Sequence, residues 1–130
     1  MKKLNWGNGL IGIFILLLLM HLLVLLRIIP YEILWGGQVT TVSAMMQYEL
    51  LAVAILLIFL FIVACKTGYI KTRRKRLVNV GMWVIVIYFI LNTVGNLASG
   101  VTLEKLIFTP ISIIIAGFAL ILALKIENQS

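Results

Sequence analysis

The chain has 130 residues, 63% of them hydrophobic and only 12% charged, with a mean hydropathy of +1.18 and a formal net charge of +7. A water-soluble domain of this size cannot hide so much apolar surface, so the composition excludes one and implies a lipid solvent. The single cysteine, Cys65, excludes an intrachain disulfide and a paired-thiol redox centre.

Apolar runs near twenty residues long match a hydrocarbon core of roughly 30 Å at 1.5 Å rise per residue. Four such runs occur, at about 10–29, 46–65, 79–97 and 106–124. They predict an all-α membrane protein, an up-down bundle of four transmembrane helices forming a single domain. The first helix is expected to open after Asn5–Gly9, with Trp6 as a headgroup-level anchor, and to end at Pro30. Lys2-Lys3 before an apolar stretch resembles a secretory signal. The stretch runs on through Leu26 with no small-residue cleavage site, so an uncleaved helix is expected. Residues 30–45 read as a structured loop over the mouth of the bundle, with Tyr31 and Trp35 at the membrane interface and a turn at Gly36-Gly37.

The second helix begins between Ser43 and Glu49 and runs to Cys65, a small apolar filler at its end. The loop 66–78 contains Thr72-Arg-Arg-Lys-Arg76. It reads as a topology determinant and solvated loop, with contact to acidic lipid headgroups as the alternative and no nucleic-acid partner. On the third helix, 100° per residue places Gly81, Tyr88, Asn92, Gly95, Asn96 and Ser99 on one face, which must point into the bundle. Thr102 reads as an N-cap with Glu104 in the first turn, and Pro110 either opens or kinks the fourth helix. Ser112, Ala116, Ala119 and Ala123 form a small-residue seam along it. The two helix pairs do not match in polar pattern, which gives an inverted-repeat carrier no support.

Charge sorts by side. Lys2, Lys3, Lys66, Lys71, Arg73, Arg74, Lys75, Arg76 and Lys125 fall at one end of the bundle, Arg27 and Lys105 at the other. Positive residues in short loops stay in the cytoplasm, so both termini are expected inside, in a bacterial plasma membrane. With that orientation the polar side chains of the spans gather in the outer half. His21 lies roughly 12 Å below a helix end at Pro30, at 1.5 Å per residue. Glu49 is one turn into the second helix, Asn92 and Asn96 in the last turns of the third, and Thr109 at the start of the fourth. Arg27, Glu32, Gln38, Gln47 and Glu104 ring the same end, while the inner half is almost wholly apolar.

Three readings compete for this layer. In a structural one, Arg27 pairs with Glu32, Glu49 or Glu104 and the asparagines bond across helices. In a binding one, His21, Glu49, Asn92 and Asn96, with Arg27, Glu32, Trp35, Tyr88, Glu104 and Thr109 around them, form a pocket for a small or lipid-like ligand or a membrane partner. In a catalytic one, His21 and Glu49 act as an acid–base pair on a membrane-soluble substrate. The layer offers too few ligands for a metal, and no cofactor is indicated. The expectation is a non-enzymatic membrane component that binds a ligand or partner, with membrane lipids around it.

The strings Ile29-Pro-Tyr-Glu-Ile-Leu-Trp-Gly-Gly37, Leu91-Asn-Thr-Val-Gly-Asn96 and Glu104-Lys-Leu-Ile-Phe-Thr-Pro110 resemble those of small uncharacterised four-span bacterial membrane proteins. That resemblance covers nearly the whole chain and implies the fold, but brings no activity with it. Small multidrug transporters carry a carboxylate in mid first helix, where this chain has His21. Fluoride channels insert in both orientations, against the charge bias here. Quinone-reducing thiol enzymes need paired cysteines. The four-span sterol-isomerase-like fold, with acidic and aromatic residues in its bundle, is an analogue at the level of fold alone.

Overall fold

The computed structural model describes residues 5–125. Its helices are α1 (Asn5–Leu25), α2 (Val42–Thr67), α3 (Lys75–Leu97) and α4 (Thr109–Leu124), the last continuous with a π-helical turn over Glu104–Phe108. All four spans are long and apolar enough to cross a membrane, and the described residues include no strand. α1 packs on α2 and α4, and α3 packs on α4 and α2, so the chain is a four-helix up-down bundle. Leu16, Leu50, Leu91, Leu106 and Leu124 point outward, as a lipid solvent allows.

Capping explains where the helices start and stop. Thr41 Oγ1 accepts the Ala44 amide at 3.1 Å and starts α2 at Val42, a turn earlier than hydropathy predicts. Gly68, at φ +92°, ends it in the left-handed region. α1 stops at Leu25, not at Pro30. The Ile28 amide reaches Leu23 O and the Arg27 amide reaches Val24 O, both at 2.9 Å, with Arg27 left-handed at φ +61°. These are the paired bonds of a Schellman termination with arginine where glycine is usual. Hydropathy misses it because Ile28 and Ile29 stay apolar after the helix has ended.

The other end of α1 also departs from expectation. Asn5–Gly9 is already helical. A Cβ added at Gly7 would lie 1.9 Å from Thr67 Cγ2, and one at Gly9 2.9 Å from Phe118 Cε2. These glycines let α1 approach α2 and α4 closely.

The main core holds Leu10, Phe14, Phe59, Val63, Met82, Ile85, Phe89, Ile115 and Leu122. At its centre Phe14, Phe59 and Phe89, from three different helices, lie with ring centroids 5.8–6.3 Å apart. A second cluster, Val24, Leu34, Val39 and Met45, anchors the 26–41 loop over one end of the bundle. We call this the loop end, and the opposite one the basic end. The basic end is not simply apolar below a solvated loop. Lys66, expected in that loop, is buried in the last turn of α2, where Nζ donates to Asn79 Oδ1 at 2.7 Å and to the Lys125 carbonyl at 2.9 Å. Lys71, Arg73, Arg74, Lys75 and Arg76 are exposed. Cys65 is buried, as expected of a filler.

Thr102 is already helical rather than an N-cap. Ser99 Oγ instead accepts the Val101 amide, at 2.9 Å. Pro110 follows the π turn, in which the Thr109 amide bonds to Glu104 O. Proline has no N–H, and its ring crowds the carbonyl four residues back; the wider turn relieves that crowding.

Candidate functional site

His21, Glu49 and Trp35 meet at the loop end. His21 is four residues from the end of α1, so roughly 6 Å deep at 1.5 Å per residue, half the depth expected from the sequence. Glu49 is completely buried on α2. Its Oε2 contacts His21 Nδ1, and its Oε1 accepts the Trp35 Nε1–H at 3.0 Å. Burying a carboxylate is tolerable when its oxygens are bonded, and both are.

Trp35 was expected at the membrane interface, beside a glycine turn. Within that turn Trp35 holds a left-handed backbone at φ +56°, as Gly37 does at φ +74°, and its indole turns inward to Glu49. For a non-glycine residue that conformation costs about 1–2 kcal/mol. The bond to Glu49 and a stacking contact with Tyr48, with centroids 5.3 Å apart, offset the strain.

α3 and α4 supply a second polar group. Ser112 Oγ donates to Asn92 Oδ1 at 2.8 Å. Asn96 Nδ2 donates to both Asn92 Oδ1 and Ser112 Oγ, each at 3.0 Å. A third group joins the α3–α4 turn to the π turn, where Ser99 Oγ donates to Glu104 Oε2, with Glu104 buried.

Between these groups lies a cavity of about 710 Å³, open on one side. Leu17, Leu34, Leu56, Ile111 and Ile115 form apolar walls. His21, Trp35, Tyr88, Asn92, Asn96 and Glu104, all expected at the site, line it. The α3 face read from the sequence turns toward it, since Gly95 and Ser99 line it too. Along that face Gly95 meets open space, while Asn92, though exposed, is bonded across to Ser112 on α4.

Four expected site residues lie elsewhere. Glu49 sits behind His21 and Trp35 and does not line the cavity. Thr109 is buried away from it, and its Oγ1 has no hydrogen-bond partner among the described residues. Arg27 and Glu32 are exposed on the loop, and Arg27 pairs with none of Glu32, Glu49 and Glu104. The left-handed turn at Arg27 carries its side chain past the end of α1, out of reach of the buried acids.

Sequence reasoning did not assign Ser112 to the site, because it reads as one more small residue of the α4 seam. Its value comes from facing Asn92 and Asn96 across the α3–α4 contact, which periodicity on one helix does not reveal. Among the described residues no three histidine, cysteine, aspartate or glutamate side chains gather as a metal would need. No protein-family model, curated protein or solved structure matches this chain.

Proposed function

We propose that the protein is a ligand-binding component of a bacterial plasma membrane whose cavity holds one amphiphilic, lipid-like molecule. The cavity carries this reading. Its volume of about 710 Å³ falls within the roughly 300–1,000 Å³ of small-molecule sites, which pair apolar walls with a few converging polar groups. Leu91 and Gly95 belong both to the cavity rim and to the outward surface of α3, so the opening faces the bilayer. An occupant that dissolves in lipid reaches it sideways.

The sorting of basic residues supports an orientation with the termini and the 71–76 segment in the cytoplasm and the cavity toward the outer leaflet. In a Cys65→Ala background, a Lys71→Cys variant is expected to resist a membrane-impermeant maleimide in intact cells and a Gln38→Cys variant to react. The reverse pattern overturns the orientation.

Occupancy is tested by purifying the protein in mild detergent and identifying copurifying small molecules by mass spectrometry. The comparison is a Gly95→Phe variant: a Cβ at Gly95 meets nothing within 4 Å, so the backbone accepts the change while the ring fills the cavity. The expected result is a bound species in the wild type and its loss in the variant, at unchanged unfolding temperature. Identical profiles, or no bound species in the wild type, count against the reading.

A catalytic role is the second reading, and the contact between His21 and Glu49 favours it. A carboxylate on Nδ1 orients an imidazole whose other nitrogen is then available for proton transfer. Time-dependent conversion of the copurified species, abolished by His21→Phe, distinguishes it from binding alone.

A further inference from the structure

The hydrogen bonds at the cavity wall specify what the occupant must offer. Trp35 Nε1–H is a donor only, so Glu49 Oε1 accepts from it. With Glu49 ionised, Oε2 accepts as well, and the His21 contact places the proton on Nδ1. In the neutral imidazole, Nε2 is then a lone-pair acceptor. It has no protein partner among the described residues, and His21 lines the cavity while Glu49 does not. The opposite wall presents the complementary group. Asn92 Oδ1 is occupied by Ser112 and Asn96, which leaves Asn92 Nδ2–H₂ as a donor. His21 Nε2 therefore accepts from one wall and Asn92 Nδ2–H₂ donates from the other.

Resting on the reading of the cavity as an amphiphile site, we propose that its occupant is a lipid-like alcohol or phenol, whose uncharged hydroxyl donates to His21 Nε2. A hydroxyl both donates and accepts, so it meets either wall, whereas an ether can satisfy Asn92 but leaves His21 Nε2 unpaired. Glu49 and Trp35 are positioning residues. They hold the imidazole in the tautomer that accepts, and neither touches the ligand's hydroxyl.

The test uses matched pairs of probes that differ only in the hydroxyl hydrogen. One pair is farnesol and farnesyl methyl ether; the other is 4-octylphenol and 4-octylanisole. The pairs distinguish an isoprenoid alcohol from a phenol as the natural class. Each pair is offered in equimolar amounts to the full-length protein in detergent, and the two complexes are counted by native mass spectrometry.

For at least one pair the hydroxyl form is expected to exceed the ether about tenfold, which corresponds to about 1.4 kcal/mol. The same ratio in His21→Phe, which also cancels any difference in micelle partitioning, is expected to fall near one. Glu49→Gln provides a second variant that keeps the shape of the site. Trp35 claims the amide oxygen there, so the amide N–H₂ faces Nδ1 and the imidazole proton moves to Nε2. Nε2–H then donates to alcohol and ether alike, and the preference is expected to vanish with binding retained; a merely structural role for Glu49 does not predict that pattern. If both pairs bind the wild type in the ratios seen with His21→Phe, the hydroxyl proposal is wrong while the cavity reading stands. If no probe binds the wild type, both fall.

Discussion

Glu49 is the residue whose removal tests the architecture most directly. In Glu49→Leu the Trp35 Nε1–H and the His21 Nδ1–H lose the acceptor that the completely buried Glu49 gives them. Each orphaned donor costs about 1–3 kcal/mol. Leaving a buried charge without its partner typically costs about 3–5 kcal/mol. His21→Leu is expected to cost a similar amount, because it strands the carboxylate. Trp35→Phe keeps the ring on Tyr48 and loses one bond to a charged group, about 1.5–3 kcal/mol. Added as independent terms, the three exceed about 6 kcal/mol. The triple variant His21→Leu/Trp35→Phe/Glu49→Leu removes every polar atom of the group at once, and it is expected to lie within about 1–2 kcal/mol of the wild type, since apolar replacement of a whole buried network is often neutral. The assay is reversible unfolding in mixed micelles titrated with a denaturing detergent. An additive triple variant, or a Glu49→Leu variant as stable as the wild type, refutes the network as drawn.

Three further expectations concern the scaffold. Thr109→Val keeps the shape and deletes a buried hydroxyl without a partner, so unfolding should shift in favour of the variant by about 1–3 kcal/mol; a loss of stability means that Oγ1 is bonded in the membrane. Gly7→Ala drives a methyl into Thr67 Cγ2, which cannot turn away because Thr67 Oγ1 donates to Val63 O at 3.0 Å. We expect a cost of about 1–3 kcal/mol, recovered by adding Thr67→Ser, whereas Gly12→Ala, with nothing within 4 Å of its Cβ, should gain helix propensity and cost nothing. Arg27→Gly removes a left-handed arginine from the end of α1 and should stabilise by about 1 kcal/mol, read as a raised unfolding midpoint; an unchanged or lowered midpoint argues that the Schellman turn at Arg27 does not form.

The four spans, the two-sided charge and the α3 face Tyr88–Asn92–Gly95–Asn96–Ser99 were all legible, because each rests on a local property: hydropathy over twenty residues, charge near a span end, or 100° periodicity. The choice of partners was not. Three glutamates and one arginine share the loop end, and which of them meets His21 depends on the rotation of α2 about its own axis. Core packing sets that rotation. The bond from Trp35 to Glu49 was hidden for a related reason. Gly36 and Gly37 announce a turn, yet the left-handed step falls on Trp35 as well as on Gly37, and only that step turns the indole toward Glu49. Lys66 misled because a charge ends a hydropathic run, while α2 itself continues to Thr67 and buries the ammonium against Asn79.

The position of the cavity bears on which activities the fold supports. Its floor is formed by Leu17, Leu56, Phe89 and Ile115, and Phe89 there joins Phe14 and Phe59, which fill the bundle centre beyond it from two other helices. Below that layer come Val63, Met82 and Leu122, and then the bonds from Lys66 to Asn79 and Lys125. A molecule held beside His21 therefore faces a packed aromatic layer rather than a polar path toward the basic end. To pass it, the hairpins α1–α2 and α3–α4 must separate along their whole length and expose Lys66, which is costly inside a bilayer. On the proposed reading, that packing makes the cavity a closed end, suited to recognising or modifying a molecule that enters and leaves by the same side.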